Sequence, residues 1–187
     1  MKAVLDELKA LEYSGYHFEA ADASLELFMR RATGWRNQYF TLESFRVMVE
    51  HRPGQKMALE QNPLGHYDGV ETEATIKISF DGDRVVATGE GNGPVNALDA
   101  AFRTAVDDRF PELNSVRLTD YKVRIVDAAG EESDGNYRPG TGAITRVLID
   151  ATDGDAQWST IGVSENIIEA SWQALSDSIV YALLKSR

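Results

Sequence analysis

The sequence predicts an α+β fold of two pseudo-symmetric βββα units with antiparallel sheets, preceded by a short helical linker subdomain. Three observations predict it. Residues 75–88 and 147–160 repeat one order of parts: an alternating strand, an Asp-Gly-Asp turn, a return strand ending near Thr88 or Thr160, and then a helix start. The copies keep one spacing, 72 residues from Asp81 to Asp153 and from Thr88 to Thr160. Hydrophobic periodicity is two before and just after each turn, and about 3.6 beyond it. Repeated strand-rich units closed by helices place two helix N-termini beside a common crevice, so a binding module is the first expectation, ahead of an enzyme.

Residues 2–33 read as two helices around Gly15. Val4, Leu5, Leu8 and Leu11 form one stripe and Leu25, Phe28 and Met29 another, with Arg30 and Arg31 suited to the negative end of the second helix before Gly34. Two short helices cannot bury both stripes against each other alone, so they require a further surface. From Tyr39 the period becomes two, and Phe45, Val47 and Val49 alternate with Arg46, Met48 and Glu50 up to Pro53-Gly54. Residues 52–69 read as a loop. Ala74, Ile76, Ile78 and Phe80 then face one way and Glu73, Thr75, Lys77 and Ser79 the other, the pattern of a sheet with one wet face. Asp81-Gly82 supplies a tight hairpin turn, and the strand returns through residues 85–88. Gly93-Pro94 opens a helix whose apolar face is Val95, Leu98, Phe102 and Val106.

The second half follows the same plan. A strand runs from Val116 to Val126, residues 128–142 form an acidic Gly-containing loop, 144–151 pairs with 157–163, and a last helix carries Ile168, Trp172, Leu175, Ile179 and Leu183. In the first of these strands Val116 and Leu118 mark even positions as buried, whereas Tyr121, Val123 and Ile125 mark odd ones. One extra residue around Asp120 and Tyr121 resolves the change of phase, and such a bulge re-aims side chains; the alternative is an irregular edge strand with a half-exposed tyrosine. The domain plan is therefore 1–36 for the linker and 37–187 for the main domain, with units at about 37–110 and 114–187.

Composition excludes several classes of function. The chain has 187 residues, a formal net charge of -11 and no cysteine. That charge disfavours nucleic acid and anionic membranes as partners, and the absence of cysteine removes disulfides and thiolate metal sites. No apolar run approaches a bilayer-spanning length and no signal-peptide core is seen, so the expected location is the cytoplasm. His17, His51 and His66 are isolated, no serine elbow or thiol occurs, and neither the Glu131, Glu132 and Asp134 group nor Asp107-Asp108 has the form of a tuned acid–base pair. The expected catalytic, metal and cofactor sets are therefore empty.

The segment 88–94, Thr-Gly-Glu-Gly-Asn-Gly-Pro, is the most glycine-dense in the chain. It reads either as a backbone cradle for a carboxylate or phosphate at a helix start, or as a strand-to-helix turn that needs unusual φ angles. A dinucleotide fingerprint is a poor match, because Pro94 stands where its third glycine would be and the preceding strand belongs to a hairpin. In the second half Ser164 and Asn166 are competent N-caps, and Asn166 with Glu169 has capping-box spacing.

Gly-Asn-Gly-Pro-Val-Asn-Ala at 91–97, Leu-Thr-Asp-Tyr-Lys-Val-Arg-Ile at 118–125 and Trp-Ser-Thr-Ile-Gly-Val-Ser-Glu-Asn-Ile-Ile-Glu-Ala-Ser-Trp at 158–172 resemble the C-terminal allosteric domain of the 2-isopropylmalate synthase and citramalate synthase family. The stretch 11–27 is similar to the linking helices of the citramalate synthase branch. The resemblance implies a homodimer that binds a branched-chain amino acid as feedback inhibitor, isoleucine in a citramalate synthase, with the leucine-binding domain of a 2-isopropylmalate synthase as the alternative. It assigns Gly91, Asn92, Gly93, Pro94, Val95 and Leu98 to the effector site, with Asp120 and Tyr121 on the following strand. Ile161, Gly162, Val163 and Ser164 join them by pseudo-symmetry. The backbone N–H groups at the helix start would hold the effector's carboxylate, Asp120 its ammonium, and Val95, Leu98 and Tyr121 its aliphatic side chain. The same resemblance implies a catalytic barrel, outside this sequence, that condenses acetyl-CoA with pyruvate using a divalent metal; a start within the linking helices then implies a fragment of a longer protein. The contrasting expectation is a purely oligomerising module without an effector.

Overall fold

The computed structural model describes residues 2–51, 70–126 and 143–186. Its elements run α1 (Lys2–Tyr13), α2 (Asp22–Ala32), β1 (Thr41–His51), β2 (Val70–Phe80), β3 (Asp83–Gly91), α3 (Pro94–Val106), β4 (Arg117–Val126), β5 (Ile144–Thr152), β6 (Gln157–Ser164) and α4 (Ile167–Lys185), with short 3-10 turns at Phe18–Ala20 and Pro111–Ser115. This is the α+β arrangement of two βββα units that the repeat predicts. The loops expected at 52–69 and 128–142 lie outside the described residues. The chain divides into two compact units, residues 38–109 and residues 1–37 with 110–187.

In the unit 38–109 the antiparallel sheet has the order β1-β2-β3. Phe80 pairs with Asp83 across a two-residue turn, where Asp81 and Gly82 both take positive φ, 50° and 93°. Both values suit the right-handed twist of the hairpin, and an acidic residue and a glycine tolerate them. Ala74, Ile76, Ile78 and Phe80 are buried, facing Leu98, Phe102 and Val106 of α3 together with Ala97, Ala101 and Ala105. The alanines and Gly89 let helix and sheet meet closely: a Cβ built on Gly89 would stand 2.2 Å from the Ala101 backbone nitrogen.

The second sheet has the order β4-β5-β6, with Val147, Ile149 and Ala151 buried beneath α4. Trp172, Leu175, Ile179 and Leu183 lie in this core as the helical period predicts, joined by Val180 and Tyr181. Two buried side chains tie strand to helix. The Trp158 indole N–H donates to Ser178 Oγ at 3.0 Å, and Thr160 Oγ1 donates to the Ala174 carbonyl at 2.8 Å.

The second hairpin differs from the first, which corrects the repeat spacing. Thr152 pairs with Gln157, so four residues rather than two form the turn, and Asp153 Oδ1 accepts the N–H groups of Asp155 and Ala156. Aligning the Asp-Gly-Asp triplets therefore misplaces the strands by one residue. By burial and register Thr72, Ala74, Ile76 and Ile78 match Thr145, Val147, Ile149 and Ala151, while Ala87, Gly89 and Gly91 match Thr160, Gly162 and Ser164, an offset of 73. The first strands carry matching register shifts, between Leu42 and Ser44 in β1 and between Leu118 and Asp120 in β4. The bulge expected near Asp120 is thus present, and it has a counterpart that the sequence did not announce.

The N-terminal helices belong to the second unit, where they close an open sheet edge. An edge strand presents unpaired N–H groups that invite pairing with another chain. On β6 these groups are taken in alternation: Ser159 N–H donates to Asp22 Oδ1, Ile161 N–H to Ser24 Oγ and Val163 N–H to Gln173 Oε1. Phe18 and Ala21 pack with Ile161, and Leu8, Leu11 and Leu25 lie against them. The buried face of α2 is Ala23, Ser24, Leu27 and Phe28, so Met29 is exposed where a buried stripe was expected. Serving the strand edge with Asp22 and Ser24 turns the helix by part of a turn relative to its plainest apolar stripe.

On β4 the structure takes the edge-strand alternative. Tyr121, Val123 and Ile125 pair with Ile149, Val147 and Thr145, and so lie on the helix side of the sheet, yet they are 38%, 39% and 71% exposed. α4 lies over β5 and β6, and β4 is the uncovered edge.

Candidate functional site

The glycine-rich segment ends β3 and opens α3. Gly91 pairs with Thr72 at the end of the hairpin, and a Cβ on Gly91 would stand 2.5 Å from the Ala97 nitrogen. Only a residue without a side chain lets the first turn of α3 descend this far onto the sheet. Gly93 is the N-cap, in extended conformation with φ −176° and no side-chain cap bond, and Pro94 follows at the first helical position. The Asn92 N–H donates to Asn96 Oδ1 at 3.1 Å and the Ala97 N–H to the Gly93 carbonyl. Among the described residues, no intrahelical acceptor or capping side chain fills the N–H groups of Val95 and Asn96. Such a start carries the positive end of the helix dipole and suits a carboxylate. Val95 is half-buried beside it, whereas Leu98 is wholly buried in the core beneath α3.

The matching start of α4 is closed. Asn166 Oδ1 accepts from the N–H groups of Ile168 and Glu169, at 2.8 and 3.3 Å, and Ser164 Oγ accepts the Asn166 N–H. The reciprocal half of the capping box is not used, since Glu169 instead accepts from Gln173. Ile161, Gly162 and Val163 belong to β6 rather than to a loop: Ile161 is buried, the Val163 N–H is bonded, and Gly162 brings the Ala170 carbonyl down onto the strand. By the offset of 73, Gly91 corresponds to Ser164 and Gly93 to Asn166. One half thus has a glycine where the other has its cap.

Asp120 and Tyr121 follow the β4 bulge. Asp120 is exposed, its Oδ1 accepts the Tyr121 N–H at 2.8 Å, and Oδ2 pairs with Lys122 Nζ at 2.5 Å. The hydrogen bond from Lys122 holds the Asp120 carboxyl below its ordinary range, with the Tyr121 N–H adding to the effect. Asp120 is consequently an ionised surface carboxylate. The Tyr121 hydroxyl lies 2.8 Å from Ser171 Oγ on α4, which fixes the ring along the uncovered edge. Gly91 to Leu98 fall in the unit 38–109 and Asp120, Tyr121 and 161–164 in the other. Among the described residues no group of three or more His, Cys, Asp or Glu could hold a metal ion, and no helix is long and apolar enough to cross a membrane.

Residues 19–183 match the LeuA allosteric (dimerisation) domain family. The chain belongs to this family. The LeuA domain described here is 43% identical over 185 residues to an (R)-citramalate synthase of Aquifex aeolicus, covering 99% of this chain and 31% of that protein. It is 45% identical over 184 residues to an (R)-citramalate synthase of Streptomyces coelicolor, covering 98% and 30%. A 2-isopropylmalate synthase of Shewanella frigidimarina is 31% identical over 117 residues, 62% of this chain and 19% of that protein. The chain thus spans about a third of the length of the citramalate synthases it matches.

Sequence reasoning missed one feature of this LeuA domain. A cavity of about 380 Å³ opens between α2 and α4, with Tyr16, Phe28, Arg31, Trp172, Gln173 and Asp177 among its lining. Asp177, 16% exposed, accepts from Ser24 Oγ at 3.2 Å and pairs with Arg31 at 2.5 Å. Burial pushes its carboxyl up, ahead of the opposing influence of Arg31 and Ser24. The one local signal was a Ser-Asp-Ser at 176–178 inside an otherwise apolar helix.

Proposed function

We propose that this chain is the amino-acid-sensing, dimerising part of a citramalate synthase, with isoleucine as effector. The open start of α3 supports the reading most directly. Of two helices in matching positions, one has its terminal N–H groups filled by its own Asn166, and the other leaves those of Val95 and Asn96 to an external acceptor. A zwitterionic amino acid supplies that acceptor as its carboxylate. The half-buried Val95 offers apolar surface next to it. In the other unit Asp120, paired with Lys122, and Tyr121, beside Ser171, present a carboxylate and an aromatic edge to solvent.

Dimerisation is supported by the family's description and by the edge strand β4, where Tyr121, Val123 and Ile125 leave apolar surface uncovered. A catalytic partner domain is supported by relatives more than three times as long. Isoleucine is preferred over leucine because identity to citramalate synthases is higher and extends over nearly the whole chain, while the isopropylmalate synthase match is lower and shorter. The enzyme so regulated would condense acetyl-CoA with pyruvate in the cytoplasm.

Isothermal titration of the chain with isoleucine, leucine and valine tests this. Isoleucine is expected to bind most tightly and to raise the melting temperature, by about 2.7 kcal/mol of stability at a hundredfold excess over Kd. Absence of heat and of any thermal shift with all three would refute the sensing role. Stronger stabilisation by leucine would reassign the effector.

A further inference from the structure

We propose that Thr72 is a specificity-determining residue of the effector site, its hydroxyl donating a hydrogen bond to the effector's carboxylate at the α3 start. This rests on the reading of that helix start as the effector site. Thr72 is 3% exposed, and its Oγ1 has no hydrogen-bond partner. Among the described residues it is the one buried side-chain polar atom left in that condition. A buried hydroxyl without a partner is costly, and native structures rarely retain one without a use for it.

Its place in the sheet identifies the use. Thr72 is in phase with Ala74, Ile76 and Ile78, so it stands on the face that α3 covers. Its partner across the ladder is Gly91, the residue over which the first turn of α3 descends to the Ala97 nitrogen. The unfilled N–H groups of Val95 and Asn96 and the unfilled hydroxyl of Thr72 therefore belong to one end of one helix–sheet contact. All of these groups can donate, and the helix dipole makes an anion the favoured acceptor. A ligand carboxylate has enough lone-pair sites to accept from a hydroxyl and from backbone N–H groups together. An uncharged or decarboxylated analogue would leave these donors unfilled, which makes the site selective for an acid group.

The other half supplies an internal control. Thr145 occupies the matching position, paired with Ser164, but there Asn166 already fills the helix start. The hydroxyl at 145 has no external anion to meet.

The test is isothermal titration of isoleucine and leucine into the chain and into Thr72→Val, Thr72→Ser and Thr145→Val, each with a melting curve taken without ligand. Thr72→Val keeps the shape and removes the hydroxyl. Its unliganded melting temperature should equal or exceed that of the parent, while its Kd rises about tenfold or more, the loss expected for a hydrogen bond to a charged group. Thr72→Ser should bind within a few-fold of the parent, and Thr145→Val should bind like the parent. Unchanged affinity in Thr72→Val alongside binding by the parent would overturn this assignment alone. Failure of the parent to bind either amino acid would overturn both the assignment and the effector site it rests on.

Discussion

Gly162 and Gly89 hold matching places beneath their helices, so one added methyl group tests how firmly helix and sheet are joined. On Gly162 a Cβ would stand 1.9 Å from the Ala170 carbonyl oxygen and 2.9 Å from Gln173 Cβ; on Gly89 it would stand 2.2 Å from the Ala101 nitrogen. The nearest obstacle in each case is helix backbone, which cannot swing aside as the end of a long side chain would. A carbon and an oxygen rest at about 3.3 Å or more, so α4 must lift by roughly 1.4 Å in Gly162→Ala. That movement loosens Ala174, Leu175 and Ile179, all fully buried. Overpacking costs about 1–3 kcal/mol, and a backbone obstacle places this case near 3. Alanine recovers about 0.5–1 kcal/mol relative to glycine in a strand, which leaves about 2 kcal/mol of net destabilisation. For a chain of this size that lowers the melting temperature by roughly 4–8 °C. Calorimetric melts of Gly162→Ala and Gly89→Ala are the assay, with Gly93→Ala as comparison. A Cβ at Gly93 meets nothing within 4 Å, so that variant should lose no more than about 1 kcal/mol, the cost of alanine in place of glycine at an N-cap. A Gly162→Ala chain as stable as the parent would refute the close seating of α4 on β6, and with it the packing role of Gly162.

Two further perturbations follow from the sites described. Burial raises the Asp177 carboxyl, so the folded chain holds that proton more tightly than the unfolded one. The group's contribution to stability is then fully present below the unfolded carboxylate value and is lost as pH rises through the raised folded value. The melting temperature of the parent minus that of Asp177→Asn should therefore increase as pH is lowered from neutral through the carboxylate range; a constant difference would show that Asp177 titrates normally. Gly93→Asp places a capping carboxylate on the open start of α3. It should stabilise the chain by about 0.3–1 kcal/mol and occupy the groups assigned to the effector, weakening isoleucine binding in titration. An unchanged Kd would move the effector away from this helix.

Much of the fold was legible because its causes are local. Alternation at Ala74, Ile76, Ile78 and Phe80 needs only a period of two, and Asp81-Gly82 needs only two residues that accept positive φ. The phase break in β4 gave the bulge, and Asn166 gave the α4 cap. The glycine run and Pro94 marked the α3 start without showing whether a side chain would fill it. The offset of 72 failed because two similar Asp-Gly-Asp triplets close turns of different length, which the triplets do not encode.

What the sequence determined by itself is the set of elements, their order, the twofold repeat and the family signature in the segments 91–97, 118–125 and 158–172. The tertiary structure decided coverage. It left Tyr121, Val123 and Ile125 exposed at an edge, turned α2 so that Asp22 and Ser24 serve β6, and buried Asp177 beside Arg31. It also paired Thr72 with Gly91, onto which the first turn of α3 descends, and left its hydroxyl unfilled. The physical reason is range. Periodicity, turns and caps are settled within a few residues, whereas pairs such as Ser24 with Ile161 or Tyr16 with Gln173 join residues 137 and 157 positions apart, whose meeting no local pattern records.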